Sequence, residues 1–193
     1  MARLVFILSI IMCWISSPAQ ILNYDKVDIK KEQIDSGEFK NYNKYDLGDF
    51  IFFNGFNQKT LRFKIQNKLT NKVIYSYEDS LSDAMILKPT FFKPGITKEP
   101  IFIMVEVAAE YSWGQEIIII DKGHVFHPGY MNYAIDKENG ISISDYCHIS
   151  KEPKKFIMTF DNIPVVDWNK EKEFIDGIKL KFEISNKIIK RIE

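Results

Sequence analysis

Hydrophobic and polar positions along this chain follow strand periods for most of its length, after a single apolar block at the start. Leu61-Arg62-Phe63-Lys64-Ile65-Gln66 alternates strictly, the period of a half-buried strand. Val73-Ile74-Tyr75-Ser76-Tyr77 follows across Leu69-Thr70-Asn71-Lys72, which reads as a hairpin loop. Ile101 to Ala109 is nearly continuous in apolar residues and Ile117 to Ile120 is fully so. Runs of β-branched residues without alternation predict central strands covered on both faces. Asp121-Lys122-Gly123 predicts a tight turn into His124-Val125-Phe126, with glycine free to take positive φ. His127-Pro128-Gly129-Tyr130 has the proline and glycine of a type II turn. Further strands are expected over 131–135, 141–149, 156–160, 178–184 and 188–192, the last two joined as a terminal hairpin by Ser185-Asn186-Lys187.

Two stretches read differently. Residues 79–100 contain Pro89, Pro94, Gly95 and Pro100, which predict a long connection, with one or two helical turns over 80–87. It is expected to cross between two sheets with Phe91 and Phe92 tucked inward. The charged segment Asn169 to Phe174 reads as a short helix. Together these elements predict an all-β chain: an antiparallel sandwich or barrel of about ten short strands built from hairpins. No fixed repeat suggests a propeller or solenoid, and no βαβ alternation suggests a nucleotide-binding α/β fold.

The first residues have another logic. Arg3 precedes an apolar run from Leu4 to Ile15, followed by Ser16-Ser17-Pro18-Ala19. These are the charged, apolar and small-residue regions of a cleaved secretory signal peptide. The run is too short to span roughly 30 Å of hydrocarbon. The three bulky residues before Cys13 do not fit a lipoprotein signal. The expected organisation is therefore a signal peptide over 1–19, a polar N-terminal arm or edge strand over 20–43, and a single β-domain over 44–193. The expected localisation is extracytoplasmic, either periplasmic or secreted, with no integral membrane segment once the signal is removed.

Charge and cysteine usage narrow the function classes. Loss of Arg3 leaves 25 basic against 26 acidic residues, a net charge of −1. Such a chain has no long-range field to steer it to a polyanion, so no nucleic-acid partner is expected. Only Arg62 and Arg191 remain as arginines, which disfavours bidentate phosphate recognition. Cys147 would be the one cysteine left, read as a buried apolar filler.

Catalytic motifs are absent: no phosphate loop, nucleophile elbow, His-Glu-x-x-His or paired Cys-x-x-Cys occurs. The nearest approach to a metal or acid–base cluster is His124, His127 and His148 with nearby carboxylates. Spacing works against it, because residues three apart on a strand face opposite sides. Glu106 and Glu110 interrupt an apolar run, and a buried carboxylate there would have a perturbed pKa. Tyr111, Trp113, Tyr130 and Tyr133 are the candidate ligand-binding aromatics, able to stack on sugars or anchor a protein. The leading expectation is a non-enzymatic extracytoplasmic β-domain of the inhibitor, immunity or envelope-accessory type. It would bind a protein or glycan partner and need no cofactor. The alternatives are a carbohydrate-binding module using the aromatics and a metal-dependent hydrolase around the histidines.

Overall fold

A computed structural model describes residues 21–34, 42–57, 60–80, 86–95, 97–98, 100–109, 112–135, 141–170, 172–185 and 187–193. The expected leader, residues 81–85 of the expected helical turns, Glu110 and Tyr111 lie outside the described residues. The strands in chain order are β1 (Leu22–Val27), β2 (Lys31–Ile34), β3 (Tyr42–Asp46), β4 (Phe50–Asn57), β5 (Thr60–Asn67) and β6 (Val73–Asp79). They continue as β7 (Ile86–Pro94), β8 (Ile101–Ala108), β9 (Ser112–Asp121), β10 (His124–Met131), β11 (Tyr133–Ala134) and β12 (Cys147–Glu152). The last are β13 (Lys155–Phe160), β14 (Pro164–Asp167), β15 (Glu173–Asp176), β16 (Lys181–Ile184) and β17 (Ile189–Arg191). The chain is all-β, as the patterning predicts. No α-helix occurs among the described residues, which hold only two short 3-10 turns, Ile143–Tyr146 and Gly177–Lys179.

All strand pairs are antiparallel and fall into three sheets. The largest has nine strands in the order β10-β9-β8-β7-β1-β12-β13-β16-β17. Its two edges approach each other, so the sheet curls into a nearly closed barrel. A five-stranded meander, β2-β3-β4-β5-β6, packs on the outside of β7, β8 and β9. A small sheet, β11-β14-β15, adjoins the barrel.

Two cores result, and β8 and β9 serve both. Phe102, Met104, Ile117 and Ile119 point into the barrel with Phe92, Met158 and Phe182. Ile103, Val105, Ile118 and Ile120 point outward against Phe52, Phe63 and Ile65 of the meander. All these residues of β8 and β9 are fully buried, which is why the sequence there lacks alternation. In the outer core, Phe52 stacks on Phe63 at 5.9 Å, and Phe63 on Tyr77 at 5.9 Å.

Turn chemistry accounts for several junctions. Lys122 and Gly123 both have positive φ, 52° and 75°, as the two-residue loop between β9 and β10 requires. The loop after β5 is held by the Asn67 side chain, which accepts from the Thr70 N–H at 2.9 Å.

Elsewhere the structure departs from the patterning, and the strands outnumber the ten or so expected. Residues 86–94 form a regular strand despite two prolines, with Phe91 and Phe92 buried on opposite faces as the crossover reading expected. Pro89 is tolerated because pairing with β1 stops at Phe91, so at Pro89 the strand has a neighbour on one side only. The expected type II turn at 127–130 is a bulge inside β10, where the register shifts between Phe126 and Gly129. The expected strand over 141–149 begins as a 3-10 turn because Ser142 and Asp145 form a capping box. The expected helix at 169–174 is a turn leading into β15, with Lys172 at φ 63°. Where the sequence suggests an arm or edge strand over 20–43, β1 lies inside the nine-stranded sheet, between β7 and β12. Its Tyr24 is the reason, with its ring 5.6 Å from Phe156 within the barrel.

Because the two cores share β8 and β9, they should unfold together. Phe52→Ala in the outer core and Phe102→Ala in the barrel are each expected to cost about 3–5 kcal/mol. Urea denaturation followed by tryptophan fluorescence and by circular dichroism should give one coincident transition for both variants.

Candidate functional site

The three histidines occupy three different environments. His124 is exposed at the start of β10. His148 is on β12, with its side chain 65 % exposed and its Nε2 2.7 Å from Asp161 Oδ1. His127 is 13 % exposed and turned toward the meander. The structure does not bring them together. Among the described residues, no group of three or more histidine, cysteine, aspartate or glutamate side chains is arranged to hold a metal ion.

His127 instead joins two strands that end their sheets. The bulge in β10 directs its ring outward, where Nδ1 lies 2.7 Å from the Tyr75 hydroxyl and Nε2 lies 2.7 Å from Glu116 Oε2. The carboxylate can only accept, so Nε2 donates to it and the phenol donates to Nδ1. The Tyr77 ring meets the imidazole edge-on at 4.4 Å between centroids. Tyr75 and Tyr77 alternate along β6, the edge of the meander, and so share a face. Tyr130 completes the wall, its ring set against Gly114, where an added Cβ would come within 2.7 Å of it.

In form this is a hydroxyl–imidazole–carboxylate relay. Burial, reinforced by the negative charge of Glu116, pushes the Tyr75 hydroxyl well above its ordinary range, and Tyr77 and Tyr130 likewise. An activated nucleophile needs the reverse. Both imidazole nitrogens are already engaged, and Glu116 is only 3 % exposed. The network is a polar brace between β10 and β6.

The candidate aromatics divide similarly. Trp113 and Tyr130 are half-buried against the outer core, while Tyr133 is 7 % exposed, its ring 5.1 Å from Phe182 inside the barrel core. Cys147 is a free, buried thiol whose pKa burial raises.

A polar group also sits within the barrel near the 3-10 turn at 143–146. Glu106, Thr90, Ser112, Gln115, Ser142 and Ser144 are all buried there. Thr90 Oγ1 and Ser144 Oγ are 2.7 Å apart. Burial raises the Glu106 carboxyl above its usual value, against the opposing pull of Ser112, Lys88 and Ser142. Just outside, burial pushes the Asp145 carboxyl up. Its ion pair with Lys26 and the hydrogen bond it accepts from the Ser142 N–H at 2.9 Å outweigh this and leave it below the ordinary carboxylate range.

An opening able to take a ligand lies where the second layer stops. On β1, Val27 is packed into the outer core, whereas Asp25, two residues earlier on the same face, is exposed. The meander's turn at Leu47-Gly48-Asp49-Phe50 stands beside this step. Together with Lys93, Pro94, Gly95, Thr97, Lys98 and Ile101 it encloses a cleft of about 430 Å³. Its apolar surface comes from Val27, Leu47, Phe50 and Ile101. Lys93 Nζ donates to the Leu47 carbonyl at 2.8 Å, and burial lowers the pKa of this ammonium against the pull of Asp46 and Asp49. Asp25 also lines a second, polar groove of about 390 Å³ with Asn23, His148, Ser150 and Thr159.

Sequence reasoning gave no binding or catalytic role to any residue of this cleft, nor to Glu116, Tyr75 or Tyr77. A signal existed for the brace: a lone carboxylate heading the Ile117–Ile120 run, opposite a Pro-Gly bulge. The cleft had none, because it assembles from three segments far apart in sequence. Comparison with protein-family models, curated proteins and solved structures finds no match.

Removing the imidazole by His127→Ala strands a buried carboxylate and should cost about 1–3 kcal/mol. Glu116→Gln in the same background should recover part of that loss in a urea double-mutant cycle. The Asp145 interaction stabilises above the unfolded-state carboxylate pKa, and this stability is lost as pH falls through the lower folded value. The stability gap between the parent and Asp145→Asn should therefore be full at neutral pH and close in acid, as read by urea midpoints across that range.

Proposed function

We propose that this chain is an exported, non-catalytic binding domain whose ligand enters the cleft at the step between the meander and the barrel. The cleft carries the reading. It combines an apolar floor with side chains of both charge signs, the composition of a recognition site. Its volume of about 430 Å³ falls within the range of small-molecule and peptide-end sites. The brace supports a binding role over a catalytic one, since the single imidazole aimed at a buried carboxylate has both nitrogens committed to packing. The leader over 1–19 supports action outside the cytoplasm, in the periplasm or after release.

Filling the cleft tests the reading. Thr97 is exposed on its rim, so Thr97→Trp should leave the urea midpoint within about 0.5 kcal/mol of the parent. Components of an envelope extract retained by the parent should then be lost from the variant. Identical retention by both proteins would end the assignment of the cleft. Mass spectrometry of the exported protein should find Gln20 at its N-terminus; soluble cytosolic protein still carrying Met1 would end the export reading.

A further inference from the structure

We infer that the step cleft takes a small zwitterion with an apolar body, of the size of an apolar dipeptide with free amine and free carboxylate; this rests on the binding reading above. The argument starts from strand register. Asp25 on β1 lies directly opposite Lys93 on β7, on the same face. Opposite charges so placed can close into a cross-strand ion pair. Here they do not. Lys93 turns its ammonium to the Leu47 carbonyl, 2.8 Å away on the other wall. Asp25 keeps its carboxylate toward Gly95, 3.5 Å from where a Cβ would stand there. Among the described residues, Asp25 takes part in no ion pair.

The result is a cation and an anion on neighbouring strands that line one cleft with apolar residues and do not pair with each other. One carbonyl satisfies only one of the three Lys93 donors, so two remain for an incoming carboxylate. Lys98 stands on the rim, its ammonium 3.8 Å from Asp49, and can turn to the same anion. A ligand ammonium answers Asp25. Val27, Leu47, Phe50 and Ile101 then cover apolar side chains lying between the two ends. A simple anion would leave Asp25 unanswered, and a simple amine would leave Lys93 unanswered. A ligand bearing both charges answers each, and the partial burial of the Lys93 ammonium strengthens its hydrogen bond to a carboxylate.

The test is calorimetric titration of the purified protein with Leu-Leu, N-acetyl-Leu-Leu and Leu-Leu-amide. Leu-Leu should bind saturably at one site, and each blocked form about tenfold more weakly, as loss of one charge-assisted hydrogen bond predicts. Lys93→Met should erase the preference for the free carboxylate, so that Leu-Leu and its amide bind alike. Asp25→Asn should erase the preference for the free amine. Absence of saturable Leu-Leu binding overturns the inference, as does equal binding of all three peptides by the parent protein. Those peptide comparisons stand even if a variant fails to fold. An extract component that Thr97→Trp loses, while Lys93→Met and Asp25→Asn retain it, would sustain the binding reading and sink this one.

Discussion

Burial of β8 and β9 on both faces is the constraint from which the rest of the architecture follows. Two adjacent strands with no polar face cannot border water on either side. One side is covered by curling the nine-stranded sheet until β17 lies beside β10, which makes the barrel core. The other side is covered by the meander, which makes the outer core. The meander is five strands wide and the curled sheet nine, so the cover runs out part way round. The step this leaves at β1 is the cleft. The opening therefore arises from unequal layer widths.

Polar groups inside so apolar a body sit where layers must be fastened. Glu116 heads an isoleucine run and would be costly there alone; His127 hydrogen-bonds its carboxylate, and Tyr75 bonds the other ring nitrogen, tying β10 to β6. Neither strand has a second neighbour within its own sheet. The contact thus does for two edges what a further strand would do. The pair Lys26–Asp145 acts similarly between β1 and the 3-10 turn, tying the start of the chain to a segment more than a hundred residues later.

Much of the fold was legible from pattern alone. The isoleucine runs marked the doubly covered strands, the alternation at 61–66 marked a one-sided strand, and Asp121-Lys122-Gly123 marked its turn. What escaped has a common cause: neighbours that the sequence does not reveal. Prolines in β7 suggested a loop because nothing in the sequence says that β1 pairs only with the far half of that strand. Residues 22–27 looked peripheral because their polar side chains were visible, while their position between β7 and β12 was not. The His127 brace needed a bulge that only pairing with β9 defines, and the cleft needed three distant segments side by side. Aromatic and histidine chemistry could be enumerated from the sequence, but its direction could not.

The place of β1 has a consequence in time. It is made early, yet its two partners are completed some seventy and one hundred and twenty residues later. Until both exist, the two wings of the large sheet, β7 to β10 and β12, β13, β16 and β17, have no common seam. The large sheet is therefore joined through pairings that reach far along the chain. Such distant pairing makes for slow assembly.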